Sequence, residues 1–228
     1  MDAPIPTNMW PPRMSTNADV LTLAQWLSPS FPVGAFAYSH GVETAITNET
    51  ITTADDLQGW LADVLAHGSG RNDCILLRAA YGCADDAALA MLNETAVAVC
   101  ACGERILETQ LQGDAFARTT AAITGSKDKA LCYPVAVGSA AAQARLDLDL
   151  TAALYLHAFA SNLVSAAVRA VPLGQTEGQK VLAALTPLCE RIARDTRHDT
   201  LDDLSSTAFL SDIAAMHHET LQPRIFRS

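Results

Sequence analysis

The sequence predicts an all-α fold, a compact single-domain bundle of about ten helices, and three observations carry that prediction. Alanine (41) and leucine (27) together supply three tenths of the 228 residues, and both are strong helix formers. Apolar residues recur at three- and four-residue spacing through most of the chain, while alternating strand patterns are missing. Half of the residues are apolar and only 18% are charged, against a usual quarter, so there is ample material for one core.

Residues 1–17 carry Pro4, Pro6, Pro11 and Pro12 and no apolar run. They read as a flexible leader ahead of a domain spanning 18–228, and lack the basic start and apolar stretch of a secretory signal. Thr16 or Asn17 then caps a helix that carries Val20, Leu23, Ala24 and Leu27 on one face and ends before Pro29. Thr53 and Asp56 form a capping box, followed by Leu57, Trp60, Leu61 and Val64 at helical spacing. Residues 67–71 break the chain and Asn72 opens the next helix. Residues 94–124 form one long helix with Gly113 as the place for a kink. Pro134 suits the first turn of another. A helix over 150–170 stops at Val171-Pro172, and Gln175 to Asp195 makes one more, disturbed at Pro187 and supported by Glu190–Arg194 and Arg191–Asp195 pairs.

The charge balance excludes several classes of function. With 25 acidic against 15 basic residues and a net charge of −10, the chain cannot neutralise many phosphates, which argues against nucleic acid and an anionic membrane surface alike. The six cysteines sit mostly in alanine-rich helical text in a chain too long for a disulfide scaffold, and read as free thiols of a cytoplasmic protein. Residues 150–168 hold no formal charge, yet the polar His157, Ser161, Asn162 and Ser165 favour a buried central helix over a membrane span.

Catalytic templates come up empty: there is no nucleophile elbow, no His-Glu-x-x-His and no phosphate loop. The stretch from Gly174 to Lys180 has the wrong glycine spacing for a phosphate loop and reads as a turn opening a helix. Glu104 and Glu108 share a helix face, but with Arg105 beside them they read as ordinary surface. His217-His218-Glu219, and His40 one helical turn before Glu43, offer imidazole and carboxylate donors that suit nickel or zinc, although no four-ligand set closes.

Two stretches fit neither core nor plain surface. The loop from Ser28 to Glu43 is shaped by Pro29, Pro32 and Gly34, and presents Phe31, Phe36 and Tyr38 with Ser39, His40 and Glu43. The ending Arg224 to Ser228 sets arginines beside Ile225 and Phe226, where chain ends are usually polar. Such a tail reads as an element that orders by docking into a partner or a groove.

At these residues the sequence resembles the UreF family of urease accessory proteins. The matching pieces are LAQWLSPSFPVGAFAYSHGVE (23–43), AAVRAVPLGQTEGQ (166–179) and SDIAAMHHETLQPRIFRS (211–228), in the family's order. The resemblance implies an all-α, non-catalytic cytoplasmic homodimer that joins UreD (UreH in some organisms) and the GTPase UreG on urease apoprotein. It would hold no cofactor tightly, the nickel being handled by the complex during GTP-dependent insertion. It also implies partner-binding roles for Gly34, Tyr38, Ser39, Gly41 and Glu43 in the loop, and for His218, Glu219, Arg224, Phe226, Arg227 and Ser228 in a docking tail over 217–228. There are two departures. Leu221-Gln222-Pro223 stands where many relatives have Gln-Tyr-Ser, and Glu104-Arg105-Ile106 replaces a Glu-x-Arg, so that arginine's role is either lost or taken over by Arg105 from another face. The competing class is a stand-alone nickel-binding protein or metalloenzyme using His217, His218 and Glu43.

Overall fold

Helix α1 (Asn17–Trp26) starts where Thr16 and Asp19 close a capping box, each backbone N–H donating to the other's side chain at 3.1–3.2 Å. The computed structural model describes residues 15–170 and 173–228, and among them the fold is all-α, with ten α-helices and no strand. The leader expected at 1–17 falls outside the described residues as far as Met14, as does the stop at Val171-Pro172. The buried face of α1 differs from the expected one: Leu23 and Trp26 point inward, while Val20 and Ala24 are exposed. Trp26 sets that face by meeting Phe116 edge-on at 5.7 Å, a larger apolar contact than Val20 and Ala24 could offer.

A loop with one 3-10 turn (Ala35–Ala37) leads to the short α2 (Val42–Thr47). Helix α3 (Ala54–His67) is capped by Thr53 and Asp56 and buries Leu57, Leu61 and Val64, as expected. Helix α4 (Ser69–Tyr81) begins three residues before Asn72, so the break at 67–71 narrows to Gly68. The long helix expected over 94–124 is two: α5 (Asp86–Ala98) and α6 (Gly103–Thr124), with Cys102 extended between them. The β-branched Val97 and Val99 and the weak helix former Gly103 make that junction the least helical point of the stretch. No break occurs at Gly113. An added Cβ there would lie 1.8 Å from the carbonyl oxygen of Leu131, so the glycine admits the chain entering the next helix.

That helix, α7 (Tyr133–Gln143), has Pro134 in its first turn and packs on α4 and α6. Helix α8 (Leu148–Ala170) is the charge-poor segment. It is long and apolar enough to cross a membrane, but it forms the centre of the fold. It buries Ala152, Leu156, Ala160, Leu163, Ala166 and Ala167 against α9, α4, α3, α2 and α7. Helix α9 (Gln175–Asp195) runs unbroken through Pro187, because Pro187 and Ala183, whose carbonyl loses its partner, both lie on the exposed side. Its expected four-apart ion pairs do not form, and Arg194 sits 3.7 Å from its neighbour Asp195. Two 3-10 turns (Thr196–His198 and Leu201–Asp203) lead to α10 (Phe209–His218), which packs on α2 and α6. All six cysteines are free thiols.

Candidate functional site

The loop and the tail that stand out in the sequence meet in the fold. After α10 the chain bends over residues 219–223, with a cis bond before Pro223, and runs back into a groove on its own domain. Its walls are the 37–43 segment, the start of α6 and the end of α8. In this fold the tail lies in that groove, bonded to Glu43, Ser39 and Glu108.

Three glutamates hold it. Glu43, on the first turn of α2, is buried and accepts the backbone N–H groups of Ile225 at 2.6 Å and Phe226 at 3.0 Å. Its Oε2 also lies 3.0 Å from Nε2 of His218. The other ring nitrogen of His218 lies 2.7 Å from Glu104, whose second oxygen takes a 2.5 Å contact from Arg224. The wholly buried imidazole thus lies between a carboxylate of α2 and one of α6 and joins the two helices. Glu108 accepts the Ser228 hydroxyl at 2.5 Å and is paired with Arg105 and Gln112. Glu104 and Glu108, expected to be surface, are thus the inner wall of the groove. Their partners in α10 and the tail stand more than a hundred residues away, and only the shared helix face hints at them. Arg105, at the Glu104-Arg105-Ile106 departure, is buried and pairs with Glu108.

Further contacts complete the seat. Ser39 donates to the Ser228 main-chain oxygen from its hydroxyl and, at 2.7 Å, from its N–H, and Arg227 N–H donates to Ala37 at 2.8 Å. Tyr38 accepts a side-chain hydrogen bond from Arg227, and burial together with the Glu108 charge raises its phenol above the usual range. Glu219 reaches back to the N–H of Glu104 at 3.2 Å, placing a carboxylate on the positive end of α6, where Cys102 supplies no cap. Gly34 and Gly41 take left-handed conformations (φ 73° and 78°) at the two corners of the loop. Phe226 is 3% exposed, with the Arg169 guanidinium 4.6 Å from its ring centroid. Arg169 was not singled out in the sequence. Ile225 and Arg224 face outward, 69% and 42% exposed.

The histidine pairs do not converge. His217 is exposed while His218 is buried between two glutamates. His40 sends Nε2 to Ser69 at 2.7 Å, and burial holds its pKa well below the usual value. Glu43 meanwhile serves the tail. Among the described residues no group of three or more His, Cys, Asp and Glu side chains is arranged to hold a metal ion. Behind Glu108 lies a polar interior where Tyr155 donates to Asp73 at 2.7 Å, and burial pushes the Asp73 carboxyl up to about 6.

A family model described as UreF matches residues 51–186, which includes Glu104, Glu108 and Arg169. The chain is 52% identical over 213 residues to the urease accessory protein UreF of Ruegeria pomeroyi, covering 93% of this chain and 98% of that protein. It is 53% identical over 215 residues to the protein of the same name from Roseobacter denitrificans, covering 94% and 96%. The relative of that name in Jannaschia sp. is 44% identical over 209 residues, with 92% and 94% covered. An all-α fold, three motifs in register and full-length likeness to urease accessory proteins agree, and the chain belongs to the UreF family.

Proposed function

We propose that this protein is a non-catalytic scaffold for nickel insertion into urease, and that the docked tail with the 34–43 loop is where it recruits UreD (UreH). One observation carries the reading: a tail with outward Arg224 and Ile225 is held in place by the buried Glu43 and the half-buried Glu104. A surface prepared in that way loses little freedom when a partner binds it. In this reading the protein is a cytoplasmic homodimer that bridges UreD and the GTPase UreG on urease apoprotein. Nickel is cargo of the assembly. Regulation of the GTPase requires different affinities for its two nucleotide states, since equal affinity would shift nothing.

The test is removal of Arg224–Ser228. The truncated protein should keep its helical circular dichroism, because α1–α10 lie outside the deleted segment, and should lose co-purification with UreD. Full assembly of the truncated protein with UreD would overturn the tail's role.

A further inference from the structure

The matching segment 166–179 contains Arg169, which covers the tail at Phe226. Within Ala166–Ala170 only Arg169 is exposed: Ala166 and Ala167 are fully buried, and Val168 and Ala170 are half-buried. Val168 is held in place from α9. Gly178 packs so tightly there that an added Cβ would come within 2.7 Å of Val168 Cγ2 and 3.1 Å of Val164 Cγ1. Gly178 in turn follows a helix start fixed by Glu177, whose carboxylate accepts the N–H of Gly174 at 3.0 Å. The last turn of α8 is therefore closely packed on α9, and it directs one side chain outward. The Arg169 Nε donates to Ser165 O at 3.1 Å, and its guanidinium carbon lies over the Phe226 ring, 4.6 Å from the centroid.

We infer that Arg169 is a positioning residue for the tail, and that the close α8–α9 packing around Gly178 exists to present it. Glu43 holds the Phe226 backbone from below and Arg169 holds its ring from above, so the tail is clamped between α2 and α8. The cation sits on the face of a desolvated aromatic ring, the geometry in which such contacts are strongest. Its place in the last turn of a helix also suits a positive charge. The inference rests on the proposed importance of the docked tail, but its test does not require the partner.

The test is hydrogen exchange at the Ile225 and Phe226 amides, which donate to Glu43 only while the tail is docked. In Arg169→Ala these amides should exchange roughly two- to fivefold faster, the ratio a contact of this class supports, while amides in the centre of α8 stay unchanged. Arg169→Lys, which keeps a cation, should recover part of the protection, and Arg169→Gln should not. In a Phe226→Leu background the effect of Arg169→Ala should vanish, because the ring it acts on is gone. Unchanged exchange in Arg169→Ala, or equal exchange in the Lys and Gln variants, overturns the clamp. Faster exchange with undiminished partner capture upholds the clamp and counts against the tail's recruiting role.

Discussion

Glu43 and His218 stand 175 positions apart in the chain and 3.0 Å apart in the fold, and the contact between them joins α2 to α10 at the root of the tail. The same carboxylate takes both tail amides, so one side chain decides whether residues 218–226 have a common anchor. Buried carboxylates with this many donors are costly to remove, since each abandoned donor carries its own desolvation penalty. The tail can escape part of that penalty by leaving the groove and taking its amides into water, whereas His218 cannot.

Glu43→Ala should therefore act in two places. Tail amides should lose most of their exchange protection, and global stability should fall by about 1–3 kcal/mol from the orphaned imidazole. Glu43→Gln keeps one acceptor oxygen and should be the milder change in both. Urea denaturation and hydrogen exchange on the same samples separate the two effects. Equal tail protection in wild type and Glu43→Ala would refute the anchor.

What the sequence makes legible here is local. The Thr16 cap, the Thr53–Asp56 box and the bounds of α9 depend on residues a few positions apart, and all are found as read. The loop and the tail stand out because their aromatic residues and arginines are wrong for plain surface. Glu104 and Glu108 are misread because the groups that make them interior, His218, Arg224 and Ser228, lie at the far end of the chain. The α1 face is misread because Phe116, which chooses it, belongs to α6. In each case tertiary contact overrides a pattern that local spacing leaves open.

Gly113 gives a test of packing in which helix propensity points the wrong way. Alanine in a helix interior is ordinarily favoured over glycine by about 1 kcal/mol. Here the added methyl would collide with the Leu131 carbonyl, and the chain at 131–133 would have to move. That movement pulls Tyr133 from Phe116 and Tyr155, whose rings lie 5.7 and 5.4 Å away, and strains its N–H bond to Thr109. Gly113→Ala should lose roughly 2–4 kcal/mol in thermal or urea unfolding. A neutral or stabilising result would mean that α6 and α7 are less closely packed than described.

The cysteines should behave as core side chains. Burial raises the thiols of Cys74 and Cys132 to about 12 and those of Cys100 and Cys189 to about 11, so little thiolate exists at neutral pH. Cys74, Cys132 and Cys189 are also out of reach of reagent. Iodoacetamide at pH 7.5, a value on the order of physiological pH, should modify these three at the rate of unfolding, and all six at once in denaturant. Mass spectrometry of partly labelled samples reads this directly, and rapid labelling of Cys74 in the native protein would contradict its burial.

Asp73 offers the sharpest pH signature. Its carboxyl is raised from 3.8 to about 6, chiefly by burial, with the Tyr155 hydrogen bond and the Arg105 charge opposing the rise and Glu108 adding to it. A raised acid means that the folded state holds a proton which the unfolded chain has released, so stability falls as pH rises from about 4 to 6 and stays reduced above that. Asparagine mimics the neutral acid and can still accept from the Tyr155 hydroxyl. Asp73→Asn should therefore be more stable than wild type at pH 7–8, by on the order of 2–3 kcal/mol. The gain should shrink as pH drops through 6 and disappear near 4, where both chains carry a neutral side chain. Urea midpoints measured across that range decide it. A difference that does not change with pH would show that Asp73 ionises freely in the fold, and that the interior behind Glu108 is open to water.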